Sequence, residues 1–373
     1  MVASRWNPAV AYRLTQPFRI ETLERPVALE RPGDVLVRPR MTGVCGSDLK
    51  LYAGTRDRAA LSRKLPLVLL HEGVGDVVET HPGGGIRPGT RVAVVPNIPC
   101  YVAFPERYPS KAEGCAACRP GGVGENYCLE HLYLSSNTDG MAQSVFRHPG
   151  SLVVPVPAEV PDRVAALAEP LTTVLAGCEK APIFPDRRYL ILGNGPIGQM
   201  VAITLIGFYQ VPPEAIVMTG HGWESRSAVA ALVGAVLDAE DATAFAGLRG
   251  AIDVAFECVG GSANGETLAQ AVAALRPGGC AVLFGPSERA VAIDTREVIG
   301  KGLVFLGCNR SFVSHFEQVL DRMRDPRIQR MLGDVIASEP VPVRSADDLN
   351  RAFYQAWTNG DGRKTLLVWP GLE

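Results

Sequence analysis

The chain has 373 residues, 47% of them hydrophobic and 20% charged, a balance that buries a sizeable core and excludes a disordered or fibrous chain. Lysine and arginine total 37 against 39 aspartate and glutamate, so the net charge of −2 offers no general field to nucleic acid or to an anionic membrane. The expected partner is a small molecule, and any anionic group on it has to be met by local cations.

No apolar run reaches the roughly 20 residues that span a bilayer, and the start, MVASRWNPAVAYRL, lacks a continuous apolar stretch, which points to a cytoplasmic protein. Residues 1–163 hold short β-branched runs (DVLVRPRM, LPLVLL, GVGDVVET, GTRVAVVP, SLVVPVP) separated by Pro and Gly, the pattern of a compact, mostly antiparallel β domain. Across residues 164–309 apolar strands (RRYLILG, AIVMTG, IDVAFECVG, CAVLFG, LVFLG) alternate with helical stretches (PIGQMVAITLIGF, SRSAVAALVGA, GETLAQAVAAL). That alternation predicts an α/β domain with a doubly wound parallel sheet. Residues 310–373 carry helices at SHFEQVLDRMR and DDLNRAFYQAW and a closing strand, KTLLVW, a segment expected to rejoin the first domain.

The stretch RRYLILGNGPIGQM sets Gly193, Gly195 and Gly198 in G-x-G-x-x-G spacing after a strand and at a helix start. Glycines there allow the tight turn and close approach of a pyrophosphate, which the amides around Pro196, Ile197 and Gly198 would receive at the positive helix end. The second strand ends in Thr219, Gly220 and His221, with no carboxylate for a ribose 2′-hydroxyl, and Arg226 follows. NADP(H) is therefore preferred over NAD(H), with Arg226 as the 2′-phosphate partner. Glu224 nearby weighs the other way, and a solvated helix arginine is the bland reading of Arg226.

Cys45, His71, Glu72 and Glu169 bring thiolate, imidazole and carboxylate, a donor set that suits catalytic zinc. Each has a bland reading taken singly; beside a dinucleotide fold their joint presence points to a site. Nine cysteines, three of them between Cys115 and Cys128, in a chain too long to need disulfide staples add a second hint of metal. Cys178 reads as core. Ser47 is the nearest hydroxyl in sequence to carry a proton from the substrate oxygen, Asp48 is placed to orient His71, and Thr172 or Thr173 follows Glu169 toward the nicotinamide.

Taken together, Cys45-Gly46-Ser47-Asp48, His71-Glu72-Gly73-Val74-Gly75, Asp139-Gly140-Met141-Ala142, Ala168-Glu169-Pro170-Leu171, the glycine fingerprint and Phe256-Glu257-Cys258-Val259-Gly260 resemble the zinc-dependent medium-chain dehydrogenase/reductase family over nearly the whole chain. The resemblance implies a GroES-like catalytic domain, made from the N-terminal segment and the C-terminal tail and split by a Rossmann domain, with the active site in the cleft. It implies that Cys45, His71 and Glu169 hold the zinc, that Glu72 enters and leaves its shell, and that the protein is a homodimer or homotetramer. Glutamate at 169 is similar to the polyol dehydrogenases. Relatives with a structural zinc carry four close cysteines. Cys100, Cys115, Cys118 and Cys128 follow that pattern with longer spacing, so they form either a closed zinc site or a loop of free thiols. Lys364 matches a basic residue that contacts the cofactor pyrophosphate in relatives, or else caps an exposed strand.

Further stretches, among them Tyr52-Ala53-Gly54-Thr55-Arg56-Asp57, Lys64-Leu65-Pro66, Leu70 before His71, Val95-Pro96-Asn97, Glu125-Asn126-Tyr127 and Asn309-Arg310-Ser311, resemble a narrower group, the ribitol-5-phosphate dehydrogenases. That likeness implies NADP-linked interconversion of ribulose 5-phosphate and ribitol 5-phosphate, with Arg56, Lys64 or Arg310 as phosphate partners or as plain surface charges. The four-cysteine lobe departs from that group and keeps open an unphosphorylated polyol or cyclitol as substrate. A cofactor-binding protein without activity is the remaining reading, and it leaves the four ligand residues without a purpose.

Overall fold

The computed structural model describes residues 6, 8–82, 85–222, 226–227, 229–337, 339–359 and 362–369. Strand β1 (Asp34–Gly43) is long and buried along most of its length, and it forms the spine of a 7-stranded sheet. Its end feeds helix α1 (Gly46–Tyr52) through Cys45. Strand β2 (Glu72–Thr80) lies antiparallel to β1 with Gly43 opposite Glu72, a register that sets the start of β2 beside the end of β1. A 3-stranded sheet of Ala9–Gln16, Arg19–Arg25 and Leu67–Val68 covers one end of this domain.

Helix α2 (Ala168–Cys178) leads into the second domain and is buried over almost its whole length. Strand β3 (Tyr189–Leu192) is followed by helix α3 (Pro196–Tyr209), then β4 (Ile216–Gly220), β5 (Ala235–Asp238), β6 (Ile252–Glu257), β7 (Leu275–Leu283) and β8 (Val304–Gly307). All pair in parallel, in the order β5-β4-β3-β6-β7-β8. The order reverses between β3 and β6, the point where open α/β sheets bind ligands beyond their strand ends. β3 reads YLIL with every residue buried, the mark of a central strand covered on both faces. β5 was not anticipated: it begins inside the apolar run that reads as a helix.

The final segment divides its packing. Helices Val313–Arg322 and Pro326–Val335 lie against α2 and α3, contrary to the expectation that all of it rejoins the first domain, because Phe316, Val319, Leu320, Ile328 and Leu332 continue the same core as α2 and α3. Only Val341–Pro342, helix Ala346–Thr358 and strand β9 (Leu366–Val368) return, with β9 antiparallel to β1. Among the described residues no helix is long and apolar enough to cross a membrane.

One buried side chain makes the first domain acid-sensitive. His148 pairs across from Val35 on β1, is 1% exposed, and donates from Nε2 to the Val95 carbonyl at 3.0 Å, so it folds as a neutral ring. Burial pushes its pKa down to about 4. The unfolded chain takes up this proton near pH 6.5 and the fold does not, so stability is lost as pH falls from about 6.5 to about 4, by about 3 kcal/mol in all. Urea midpoints measured across that range should fall less steeply for His148→Gln than for wild type; parallel curves would refute the assignment.

Candidate active site

Cys45 sits just past β1 in extended conformation (φ −86°, ψ 148°) ahead of α1, whose first turn carries Ser47 and Asp48. The Ser47 hydroxyl donates to Cys45 Sγ at 3.3 Å. His71, just before β2, and Glu72, its first residue, are 4% and 1% exposed. One ligand atom from each of Cys45, His71 and Glu72 lies within 4.8 Å of the others. Thiolate, imidazole and carboxylate converging in a buried pocket fit zinc. Asp48, fully buried, stands 3.4 Å from His71 Nδ1 and accepts a hydrogen bond from Ser135, which fixes the ring through its second nitrogen. Burial alone would push the imidazole down, but Asp48 and Cys45 reverse that and hold it up.

His71 is presented by a strained turn. Leu70 before it is fully buried at φ +77°, a left-handed conformation costly for a branched side chain. The Asp139-Gly140-Met141-Ala142 motif clamps this turn: Gly140, Met141 and Ala142 donate backbone N–H bonds of 2.8–3.0 Å to Val68, Leu70 and Leu69. A Cβ on Gly140 would lie 2.2 Å from the Leu70 carbonyl.

Two carried-over residues have other partners here. Glu169, in the first turn of α2, stands outside the compact ligand set and accepts a 2.8 Å hydrogen bond from Tyr133. The register of β1 and β2 explains this, because it delivers Glu72 beside Cys45, whereas Glu169 arrives from another element and is met by Tyr133 first. Burial pushes the Glu169 carboxyl up to about 7, against the charge of His71. Lys364, expected at the pyrophosphate, is 5% exposed and straddles the Glu72 carboxylate at 2.7 and 2.6 Å. It precedes β9, whose Leu366 pairs with Gly43, so its side chain enters the pocket from behind. A Cβ on Gly43 would lie 2.5 Å from Glu72 Oε2 and 3.2 Å from Lys364 Cε, so glycine makes room for the pair. Tyr133 was not anticipated: its ring centroid is 5.4 Å from that of His71, and no motif announces it.

At the sheet switch point, Gly193 turns at φ +110° and Gly198 packs so tightly that a Cβ would lie 1.9 Å from the Gly193 carbonyl. Gly195 faces open space and Pro196 opens α3, with Ile197 packed partly on the core. Glu257, fully buried at the end of β6, accepts N–H bonds from Val259 and Gly260 and shapes the neighbouring turn. Thr219 is buried at the end of β4, His221 is exposed, and Arg226 forms an ion pair with Asp238 at the end of β5. Glu224 lies outside the described residues. Gln199 on α3 donates to the Gly362 carbonyl at 3.0 Å, tying the nucleotide helix to the segment that carries Lys364. Thr172 Oγ1 bonds the Glu169 carbonyl at 2.6 Å and Ser311 Oγ at 2.7 Å, and the Thr173 carbonyl accepts from the Cys308 thiol.

The structure also gathers Cys100, Cys115, Cys118 and Cys128, with sulfurs within 4.8 Å of one another, across the insertion between the first two. Burial pushes the Cys128 thiol up to about 11, while at Cys115 backbone N–H bonds from Leu129, Cys118 and Ala117 outweigh burial and bring it down to about 6. Four sulfurs gathered this closely are a closed donor set for zinc. Of the cations singled out in the sequence, Lys64 is tied to Ser136, whereas Arg56 and Arg310 keep buried nitrogens with no acceptor.

A dinucleotide turn on a doubly wound sheet, joined to a thiolate–imidazole–carboxylate pocket, defines a metal-assisted, dinucleotide-dependent dehydrogenase. Residues 31–158 match the alcohol dehydrogenase GroES-like domain and residues 215–325 match the zinc-binding dehydrogenase domain. The chain is 30% identical over 362 residues to ribulose-5-phosphate reductase 1 of Staphylococcus aureus, covering 96% of this chain and 98% of that protein. It is 28% identical over 364 residues to the ribulose-5-phosphate reductase of Streptococcus pneumoniae, covering 96% of each. The crystal structure of S. aureus TarJ in complex with NADPH matches with a TM-score of 0.78 at 27% identity, covering 97% of this chain and 99% of that one. The chain belongs to the zinc-type alcohol dehydrogenase family, nicotinamide-dependent oxidoreductases of CH–OH groups.

Proposed function

We propose that the protein is a zinc-dependent, NADP(H)-linked reductase of a phosphorylated ketose, converting ribulose 5-phosphate or a close analogue to the polyol phosphate. The observation that carries this reading is the convergence of Cys45, His71 and Glu72 within 4.8 Å in a pocket tied to the nucleotide helix. The names of the relatives supply the substrate class, and the NADPH bound by one of them agrees with the missing carboxylate at the end of β4.

Cys45, His71 and Glu72 would hold the zinc, which when bound supplies Lewis-acid polarisation of the substrate oxygen. Asp48 stands 3.4 Å from the second nitrogen of His71, and Lys364 Nζ pairs with the Glu72 carboxylate at 2.6 Å. The Ser47 hydroxyl, hydrogen-bonded to Cys45 Sγ, and the Tyr133 hydroxyl, hydrogen-bonded to Glu169 Oε1, are two protons beside the pocket available to the substrate oxygen. The glycine turn receives the pyrophosphate on backbone N–H groups and fixes the hydride donor in place. Cys100, Cys115, Cys118 and Cys128 would hold a second, structural zinc. A cytoplasmic homodimer or homotetramer completes the reading.

Metal analysis together with a panel of ketoses, ketose phosphates, polyols and cyclitols, assayed with NADPH and NADH, tests it. Two zinc per chain and a preference for a ketose phosphate with NADPH are expected; turnover confined to a cyclitol or a free polyol would overturn the substrate reading. For the cofactor, Arg226→Ala should raise the KM for NADPH about 10-fold or more while moving that for NADH little, since a charge-assisted contact to phosphate is lost. Equal effects on both cofactors would discard the 2′-phosphate role of Arg226.

A further inference from the structure

We propose that Arg310, with Lys64 and Arg56, forms a dianion site that seats the phosphate monoester of the substrate beside the metal pocket. The inference rests on the reading that the substrate is phosphorylated, and it adds where that group is held and by which side chains.

Arg310 follows β8 in a left-handed conformation, φ +59°, that only glycine adopts without cost. Its neighbours enforce it: the Cys308 thiol bonds the Thr173 carbonyl at 3.2 Å on one side and Ser311 Oγ meets Thr172 Oγ1 at 2.7 Å on the other. Both anchors are on α2, the helix that carries Glu169. A strained residue pinned on both sides marks a position where the side chain's direction matters. The guanidinium has Nε and Nη1 buried with no oxygen or sulfur acceptor, and no Asp or Glu pairs with it among the described residues. Leaving donors of a charged group unmet is expensive, and an anionic ligand is the natural way to meet them.

The other groups converge on the same place. Lys64 holds Ser136, the residue after Ser135, whose hydroxyl donates to Asp48 in the metal pocket, and Arg56 adds its charge beside Lys64. His131 Nδ1 donates to the Cys128 carbonyl at 2.9 Å, which leaves Nε2 of the neutral ring an acceptor, so His131 lines the cluster without binding the anion. Lys64 Nζ spends two bonds on Ser136, at 2.9 and 2.7 Å, and as an ammonium keeps a third N–H. Arg56, like Arg310, has a buried Nε with no acceptor. Lys64 is pressed by its own burial and by the like charge of Arg56, a repulsion that a dianion would relieve.

Tyr133 links this cluster to the chemistry, since Arg310 is within electrostatic reach of Tyr133, whose hydroxyl bonds Glu169 and whose ring faces His71. The remaining neighbours of Arg310, Tyr127, Cys118 and Cys128, belong to the four-cysteine lobe, which is fixed to β8 by a 3.0 Å bond from Tyr127 to the Gly307 carbonyl. None of these is part of the glycine turn, so the phosphate addressed is the substrate's and not the cofactor's.

Arg310→Gly is the informative variant, because glycine accepts φ +59° and the guanidinium is removed with strain relieved, not added. Three quantities are read on the zinc-loaded enzyme: the ratio of kcat/KM for ribulose 5-phosphate to that for ribulose, the KM for NADPH, and the thermal stabilisation given by inorganic phosphate. The ratio is expected to fall about 100-fold, in line with loss of a charge-assisted contact to phosphate. Phosphate is expected to stabilise wild type and not Arg310→Gly, the KM for NADPH to stay, and Arg310→Lys to restore part of the ratio. If wild type prefers the phosphorylated ketose and Arg310→Gly keeps that preference, the site is elsewhere and the proposal fails; a rise in the NADPH KM with the preference intact fails it too. If wild type shows no preference for the phosphate, the functional reading falls, and the inorganic phosphate arm decides the site by itself: lost stabilisation upholds it and retained stabilisation overturns it.

Discussion

Cys45→Ser is expected to lower turnover by at least about 1,000-fold, near 4 kcal/mol of transition-state stabilisation, while NADPH still binds. The thiolate is the one soft donor in the pocket, and a serine hydroxyl stays protonated at neutral pH and cannot replace it. The fold should survive, because Cys45 is only half-buried and makes no side-chain cap to α1. Nucleotide binding should survive as well, since its turn is built between β3 and α3 in the other domain. Zinc content then separates the two metal sites: it should drop from two per chain to one, the remaining ion staying with Cys100, Cys115, Cys118 and Cys128. Wild-type turnover in the variant would remove the metal mechanism, and a chain with no zinc at all would mean that the four-cysteine lobe depends on the catalytic site.

What could be read from the chain depended on whether the chemistry is local. The turn from Gly193 to Gly198 was legible because one short stretch has to satisfy steric demands that only glycine meets, and the 1.9 Å approach at Gly198 shows how strict they are. The strands β3, β4, β6, β7 and β8 were legible as apolar runs, even β8 at a half-exposed edge, and β5 was not, because its four residues, AVLD, begin inside the apolar run that reads as a helix and end on a carboxylate. Leu70 could be read in sequence only as part of a resemblance, and its φ of +77° shows the strained turn that presents His71. Tyr133 and Lys364 were beyond reach as pocket residues. Tyr133 approaches from a two-residue strand, Leu132–Tyr133, and Lys364 from the last strand pairing, 292 positions from Glu72, so only the folded register brings them in. The choice between two carboxylates is of the same kind: Glu72 and Glu169 are chemically equal in sequence, and the pairing of Gly43 with Glu72 decides which one reaches Cys45.

That choice yields the sharpest contrast between variants. Glu72→Gln removes a charge that Lys364 needs at 2.6 Å, so it should cost about 3–5 kcal/mol of stability by leaving a buried ammonium unpaired, and it should also weaken zinc binding about 10- to 100-fold. Glu169→Gln keeps an acceptor for the Tyr133 hydroxyl, so fold and zinc should stay while turnover drops about 10- to 100-fold through the disturbed proton pair. Stability and metal affinity are separable in the first case by the double variant Glu72→Gln/Lys364→Met, which removes both charges, recovers most of the folding energy and leaves zinc affinity low. Chelator competition and urea denaturation, run on the same three proteins, read the two effects independently. Zinc affinity lost equally in the Glu72 and Glu169 single variants would put both carboxylates on the metal and refute the division of roles; zinc affinity restored in the double variant would show that Glu72 acts only by neutralising Lys364.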